Sequence, residues 1–468
     1  MMKIEDCFSG YVSIDGDSFA YSFSDQMVTL LPALNNASER YKAVEKTNNR
    51  DIKLPEFIYG EDNNAQIAFM RKSDFSQSRI GFVPSLRFSP PLIIKAAGNA
   101  DGFYSSLSTD WNNFHAITFW GGNINAICDP QMAIVQRQKD DPLPQDGVTE
   151  IKTRPWNDYT RTENFVIDGQ QVTLTVSVYQ SGENYDKARS DAYLLGELNT
   201  FIRFSFADSQ DFSSIEKYYL IAKKIVAFLT MQNNVTFSMY LSQRNAKGQF
   251  VRSAVCKAFD GYDNHSKKNR YHVIPLYSVF DCIPSLIEKI IGKQLDALLS
   301  VLPENNHRIN TVSISNVQDL CTALEVTYEW GKQKRPKDAL IEELKKSIKK
   351  TISCFMSDHS EIDVYNESTI SSAFQYLDYT LKEKIQALYQ ENKETVDIVS
   401  KKWALPCLTK ENISAFVKLR NGKTHNGMFE WGESAEIYPV LLALAYICVL
   451  SSIGVSPDIV NQIIFQNF

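Results

Sequence analysis

Arg420 and His425, five positions apart in the segment NISAFVKLRNGKTHNG (412–427), are the residues whose types and spacing best match a chemistry. An arginine offers a planar fork of N–H donors that matches phosphate oxygens and stays charged at any relevant pH. A histidine titrates near neutrality, so it can take the proton of a ribose 2′-hydroxyl or return one to a leaving 5′-oxygen. Together they suffice to cleave RNA by internal transesterification with no metal. DNA lacks the 2′-hydroxyl and resists that route. Spacing alone is a weak signal, since roughly 0.2 such pairs arise by chance in a chain of this length. Position adds to it. Ile413, Phe416 and Val417 form the apolar stripe of a short helix expected over 409–420, and Arg420 falls on that stripe at Ile413 plus seven. A charge at a core position is costly, so Arg420 needs a buried acidic partner or a polar cavity. Asn421-Gly422 is expected to loosen the helix, placing the motif at its end. If the turn stays helical, Asn421 and His425 share a face. The bland alternative is a structural arginine paired with a helix-end carboxylate beside an incidental turn histidine.

The elements that must position this pair are helical. After Pro303 the chain reads as helix almost throughout. Ser315 or Asn316 can cap a helix carrying Val317, Leu320, Cys321, Leu324 and Tyr328. A Lys-rich helix follows Pro336, and Ile370, Phe374, Leu377, Leu381, Ile385 and Leu388 mark a long amphipathic one. Ile437 to Leu450 is apolar but shorter than the roughly 20 residues a bilayer needs, so a buried helix is expected. A bundle of four or five helices over 304–468 accommodates these. Lys401, Lys402, Lys410, Lys418 and Lys423 form either a basic rim for RNA or a solvated face. The run GKQKRPK (331–337) with Lys345, Lys346, Lys349 and Lys350 is a second basic candidate, but its alternation with Glu342 and Glu343 favours ordinary surface pairing.

Residues 1–303 read as a β-rich antiparallel domain. FVIDGQQVTLTVSVYQSG (165–182) is the clearest hairpin, turning at Asp168-Gly169 with Val172, Leu174, Val176 and Val178 alternating after it. FIYGEDNNAQIAFM (57–70) has a polar turn between apolar runs, and FHAITFWGGNINAI (114–127) is expected to reverse at Gly121-Gly122. LNTFIRFSF (198–206) and VTFSMYLS (235–242) add strands, 213–232 a helix, Arg244 to Arg270 loops, and 277–302 helix. Trp111, Phe114, Phe119 and Trp120 flank His115. They make either a platform for a base or sugar or, more simply, sheet core.

With 468 residues, two or three domains are the prior. A hydrophobic content of 44% with 22% charged residues describes a folded chain, and a net charge of −6 excludes a surface that coats nucleic acid everywhere while permitting a local basic site. Eight scattered cysteines without a C-x-x-C pair read as free thiols of a reducing cytoplasm. No cofactor, no metal and no membrane partner are expected. His115, His265, His272, His307 and His359 have no evident partner in the sequence.

The run R-N-G-K-T-H (420–425) resembles the R-x4–6-H motif of the HEPN superfamily, where a polar residue, here Asn421, commonly follows the arginine. The order of a β-rich part before a helical bundle resembles the ApeA-like group of anti-phage HEPN proteins. The resemblance is sharp at 412–427 and coarse elsewhere. It implies an α+β multidomain protein ending in an all-α HEPN-type helical bundle, acting as a metal-independent endoribonuclease in anti-phage (abortive infection) defence. Two motifs, one from each subunit of a homodimer or higher even oligomer, would meet at the site. Arg420 would bind the scissile phosphate, His425 would act as acid and base, and Asn421 would orient the histidine or substrate, with Lys423 in support. Glu325 is the candidate acidic partner of Arg420 on an earlier helix, or else a solvated helix residue. The implied partners are RNA, tRNA among the candidates, and a phage-derived trigger at the N-terminal domain. A rival keeps the bundle as a non-catalytic binding or oligomerisation module, with the β-rich part recognising a carbohydrate or phage protein.

Overall fold

The computed structural model of the chain describes residues 4–48, 55–62, 65–96, 111–136, 151–180, 198–260, 272–304, 312–330, 336–359, 379–426 and 435–468. It divides into two compact units. The first comprises Met1–Thr230, Asn234–Arg270 and Pro275–Tyr277, the second Met231–Asn233, Tyr271–Ile274 and Ser278–Phe468.

The first unit runs β1 (Phe8–Ile14), β2 (Asp17–Ser24), β3 (Met27–Pro32), α1 (Ala37–Asn48), β4 (Phe57–Asp62), β5 (Ala65–Met70), β6 (Ser76–Ile80), β7 (Val83–Phe88), β8 (Leu92–Ala96) and β9 (Asn113–Trp120). It continues with α2 (Ile124–Ile127), β10 (Ile134–Gln136), β11 (Ile151–Thr153), α3 (Trp156–Tyr159), β12 (Arg161–Ile167), β13 (Gln170–Gln180), β14 (Leu198–Asp211), α4 (Ile215–Thr230), β15 (Ser238–Arg244) and β16 (Phe250–Ala258). Among the described residues, fourteen of these strands form one sheet in the order β12-β13-β14-β9-β15-β16-β8-β5-β4-β1-β2-β3-β7-β6.

Both faces of this sheet are used. Beneath β14 and β9, one face packs on α4: Phe204 and Phe206 meet the Tyr218 ring at 5.5 and 4.8 Å, and Ile215, Ala222, Ile225 and Leu229 are buried along one stripe of the expected helix. Across β1–β5, β7 and β8 the other face closes a second core of Phe19, Phe23, Leu30, Ile67, Phe69, Leu86 and Ile93, with Ala43 and Val44 of α1. β5 and β8, shared by the two cores, are almost wholly buried, which is why they read as apolar runs rather than alternating ones.

The Asp168-Gly169 hairpin forms as expected. Ile167 pairs with Gln170, and both turn residues have positive φ, at 49° and 80°, the left-handed pair such a turn requires. Phe57 to Met70 also closes as an antiparallel pair. Gly121-Gly122 does not reverse into a hairpin. There β9 leaves the sheet and enters α2, because Asn123 and Thr236 exchange bonds: the Asn123 amide donates to the Thr236 carbonyl at 2.9 Å, and the Thr236 amide to Asn123 Oδ1 at 2.8 Å. Gly122, at φ 55°, lies so close that an added Cβ would meet the Thr236 oxygen at 2.0 Å. Gly122→Ala is therefore expected to cost about 1–3 kcal/mol. A thermal melt of the variant within about a degree of the parent would refute that reading.

The loop expected from Arg244 to Arg270 contains β16, paired with β15 and β8. A β-bulge shifts its register between the Leu241–Ala254 and Ser242–Arg252 pairs, and this interrupts the period-two pattern by which a strand is read.

The second unit holds α5 (Ile283–Ile291), α6 (Asp296–Val301), α7 (Ile314–Trp330), α8 (Pro336–Asp358), α9 (Leu381–Glu391), α10 (Lys393–Trp403), α11 (Lys410–Asn426), α12 (Tyr438–Ser452) and α13 (Pro457–Asn467). The expected boundary at Pro303 is displaced: residues from Ser278 onward belong here. Pro303 ends a helix but not the packing. Asn316 Nδ2 donates to the Val301 carbonyl at 3.2 Å, and the Lys289 ammonium lies 4.4 Å from the Trp330 ring centroid. α12 is buried along nearly its whole length, as its all-round apolar sequence predicts, and packs on α7, α10 and α13. Among the described residues, no helix is long and apolar enough to cross a membrane.

Two helix starts differ from expectation. Ser313 rather than Ser315 or Asn316 caps α7; its Oγ accepts from the Asn316 amide at 3.2 Å while Asn316 Oδ1 accepts from the Ser313 amide at 2.8 Å. α9 begins at a capping box of Thr380 and Glu383. It carries Leu381, Ile385 and Leu388, whereas Ile370, Phe374 and Leu377 lie outside the described residues.

Candidate functional site

α11 runs unbroken through Asn421-Gly422 to Asn426, so the motif does not sit beyond a frayed helix end. Glycine costs a helix interior about 1 kcal/mol, too little to stop a helix held by its buried stripe. Ile413 and Phe416 are fully buried, and Val417 and Arg420 half-buried at the edge of that stripe. Residues on a helix advance by about 100°, which sets Arg420 and His425 about 140° apart around the axis and Asn421 and His425 about 40° apart. Asn421, Lys423 and His425 are placed here by their backbone alone, since their side chains lie outside the described ones.

α11 packs against α7 and α9, which pack against each other. At this junction Arg420 and Glu325 both act on the buried Cys321 thiol of α7. Burial pushes that thiol up to about 12, the guanidinium pulling it down and the Glu325 carboxylate pushing it further up. A thiol held so far above neutrality stays protonated and is no nucleophile.

Glu325 is neither the ion partner of Arg420 nor merely solvated. It accepts from Lys384 Nζ of α9 at 2.9 Å, and the same ammonium reaches Glu329 at 2.8 Å. Lys384 is the residue that sequence reasoning missed. Its side chain is only 12% exposed and lies 5.7 Å from the Tyr328 ring centroid. Burial alone would depress its pKa, but the two carboxylates outweigh that and raise it. The signal was present, because Lys384 sits at Leu381 plus three and Leu388 minus four, a cation on an apolar stripe like Arg420. Lys384→Ala leaves two carboxylates one helical turn apart with no cation between them. Both are substantially exposed, so the expected loss is about 1 kcal/mol, and Glu329→Gln is expected to recover part of it. Urea unfolding of the single and double variants measures this. Strict additivity of the two changes would argue against the pairing.

The remaining sequence candidates disperse. Lys402 donates to the Phe465 carbonyl at 2.5 Å and lies over the Trp403 and Phe465 rings, while Lys401, Lys410 and Lys418 are exposed. Lys345 pairs with Glu342 at 3.5 Å, the surface pairing expected of α8. Three histidines do have partners. His272 Nδ1–H donates to the Asn467 carbonyl at 2.6 Å, His115 Nδ1 accepts from the Arg244 amide at 3.4 Å, and His359 rests against Phe355. His265 and His307 lie outside the described residues. Of the four aromatics near His115, Phe114 and Phe119 are core, Trp111 packs edge-on against Tyr59 and Phe212, and Trp120 lies on the opposite sheet face from Phe119.

Four of the eight cysteines (128, 256, 321 and 448) are buried, and Cys7, Cys354 and Cys407 are exposed. Among the described residues no three His, Cys, Asp or Glu side chains gather in a way that would hold a metal ion. Comparison of the chain with protein-family models, with characterised proteins and with solved structures finds no match.

Proposed function

We propose that the helical unit is a metal-independent endoribonuclease of the HEPN type, cleaving RNA through Arg420 and His425 and serving anti-phage defence. The observation that carries this reading is Arg420 itself. A cation stands at the edge of the buried stripe of α11, close enough to the Cys321 thiol of α7 to act on it. The helix then continues to Asn421 and His425, one turn apart on one face.

In this reading the guanidinium holds the scissile phosphate. The imidazole takes the 2′-hydroxyl proton and afterwards protonates the leaving 5′-oxygen, so the products carry a 2′,3′-cyclic phosphate and a free 5′-hydroxyl. The angular separation of Arg420 and His425 along one helix favours completion by a second copy, with the guanidinium of one chain facing the imidazole of the other across a dyad. The same separation also favours the rival reading, a non-catalytic oligomerisation module.

One experiment divides them. Purified protein is incubated with tRNA and mRNA, with and without EDTA, and with substrates carrying 2′-deoxy substitutions. Cleavage that survives EDTA, leaves cyclic phosphate ends and stops at 2′-deoxy positions supports the nuclease. Intact RNA, together with alanine variants at 420 and 425 that keep full biological protection, would leave the module reading.

A further inference from the structure

The first unit contains a cavity of about 710 Å³ lined by Trp120, Phe237, Tyr240, Arg252, Lys257 and Phe259, with Asp6, Asp25 and Asp260 among the other residues around it. β9, β15 and β16 give it one wall, and Tyr219 of α4 also lines it. Register places Phe201, Trp120 and Ser238 in one row across one sheet face and Arg203, Thr118 and Tyr240 in the next. Arg252 would be on the opposite face of β16 if the strand were regular. The bulge between the Leu241–Ala254 and Ser242–Arg252 pairs turns it onto the Tyr240 side, where its guanidinium carbon lies 4.3 Å from the tyrosine ring centroid. Arg203 does not line the cavity but meets the same tyrosine at its hydroxyl, donating through Nη2 to Tyr240 Oη at 3.5 Å and through Nε to Thr118 Oγ1 at 3.1 Å.

Two guanidinium groups thus converge on one tyrosine, and among the described residues neither has a carboxylate partner. Lys257 is paired with Asp6 at 2.8 Å, and Asp260 with Lys223 and with the Tyr219 hydroxyl at 2.7 Å. A guanidinium such as that of Arg252, beside an aromatic ring and without a carboxylate partner among the described residues, is suited to phosphate, and half-buried rings beside it to a nucleobase. The volume suits one small ligand rather than a strand.

We infer that this cavity is a mononucleotide-binding site, with Arg252 taking the phosphates, Arg203 fixing the Tyr240 hydroxyl, and Trp120 or Tyr240 stacking on the base. The site lies wholly within the first unit and is independent of the chemistry assigned to Arg420 and His425.

The test titrates the full chain with ATP, GTP, adenosine, inorganic triphosphate and a single-stranded RNA of about ten nucleotides, following indole fluorescence and calorimetry. A nucleoside triphosphate is expected to bind at least about tenfold more tightly than adenosine, triphosphate or the RNA, and to weaken as salt rises. Arg252→Gln is expected to weaken it by about tenfold or more, Arg252→Lys by less. Trp120→Phe is expected to retain binding but lose the fluorescence response. Binding by none of the mononucleotides at about 1 mM overturns the proposal. So does tighter binding of the RNA, or nucleotide binding that folded Arg252→Gln protein leaves unchanged. If Arg252→Gln fails to fold, the Arg252→Lys affinity and the loss of signal in Trp120→Phe decide the matter by the same criteria.

Discussion

His425→Ala is expected to lower RNA cleavage by about 10²–10⁴-fold, the range over which one positioned acid–base group acts. Arg420→Ala is expected to fall in a similar range. Arg420→Lys should recover little, because a lysine keeps the charge but loses the planar fork that grips two phosphate oxygens. The double variant is expected to be scarcely worse than either single one, since residues acting as one unit do not contribute additively. A fluorogenic oligoribonucleotide assay under single-turnover conditions checks all three. Mixing inactive Arg420→Ala protein with inactive His425→Ala protein adds a sharper readout. If each site takes its guanidinium from one chain and its imidazole from the other, mixed dimers regain one working site of two. Absence of any recovery, with exchange of subunits demonstrated, would overturn the shared-site arrangement.

Phe416→Ala is expected to destabilise the helical unit by about 3–5 kcal/mol, the usual cost of emptying a fully buried aromatic position. Phe416 is 0% exposed, on the α11 stripe one turn before Arg420. Cleavage should be lost together with the melting transition of that unit, whereas Arg420→Ala should lose cleavage with the transition in place. The contrast separates a residue that holds the helix from one that uses it. Differential scanning calorimetry is the suitable measurement, because a chain of two compact units need not melt in one step. A drop of less than about 1 kcal/mol would mean that α11 is held by other contacts.

Local patterns were legible where one physical requirement dominated a short stretch. The Asp168-Gly169 hairpin could be read because a two-residue turn demands two left-handed residues. α4 and α12 could be read because burial on one stripe, or all round, writes itself into composition. The failures have equally particular causes. β16 reads as loop because its bulge breaks the alternation, and that bulge brings Arg252 onto Tyr240. Gly121-Gly122 reads as a hairpin turn because two glycines permit many turns. The close approach of Thr236, more than a hundred residues away, selects the turn into α2.

The candidate site was legible by half. Its arginine, asparagine and histidine, and their order along one segment, are properties of the sequence, as is the conflict between a charge at position 420 and the apolar stripe beneath it. Which acid lies near, and what else holds that acid, was decided only when α7, α9 and α11 packed together and brought Lys384 to Glu325 across 59 residues. The continuity of α11 was likewise a tertiary outcome, since a buried stripe outweighs one glycine. Chain order and side-chain chemistry are local and can be read from letters. Partnership between distant charges depends on which helices share a core, and many sequences of the same pattern would satisfy a different pairing.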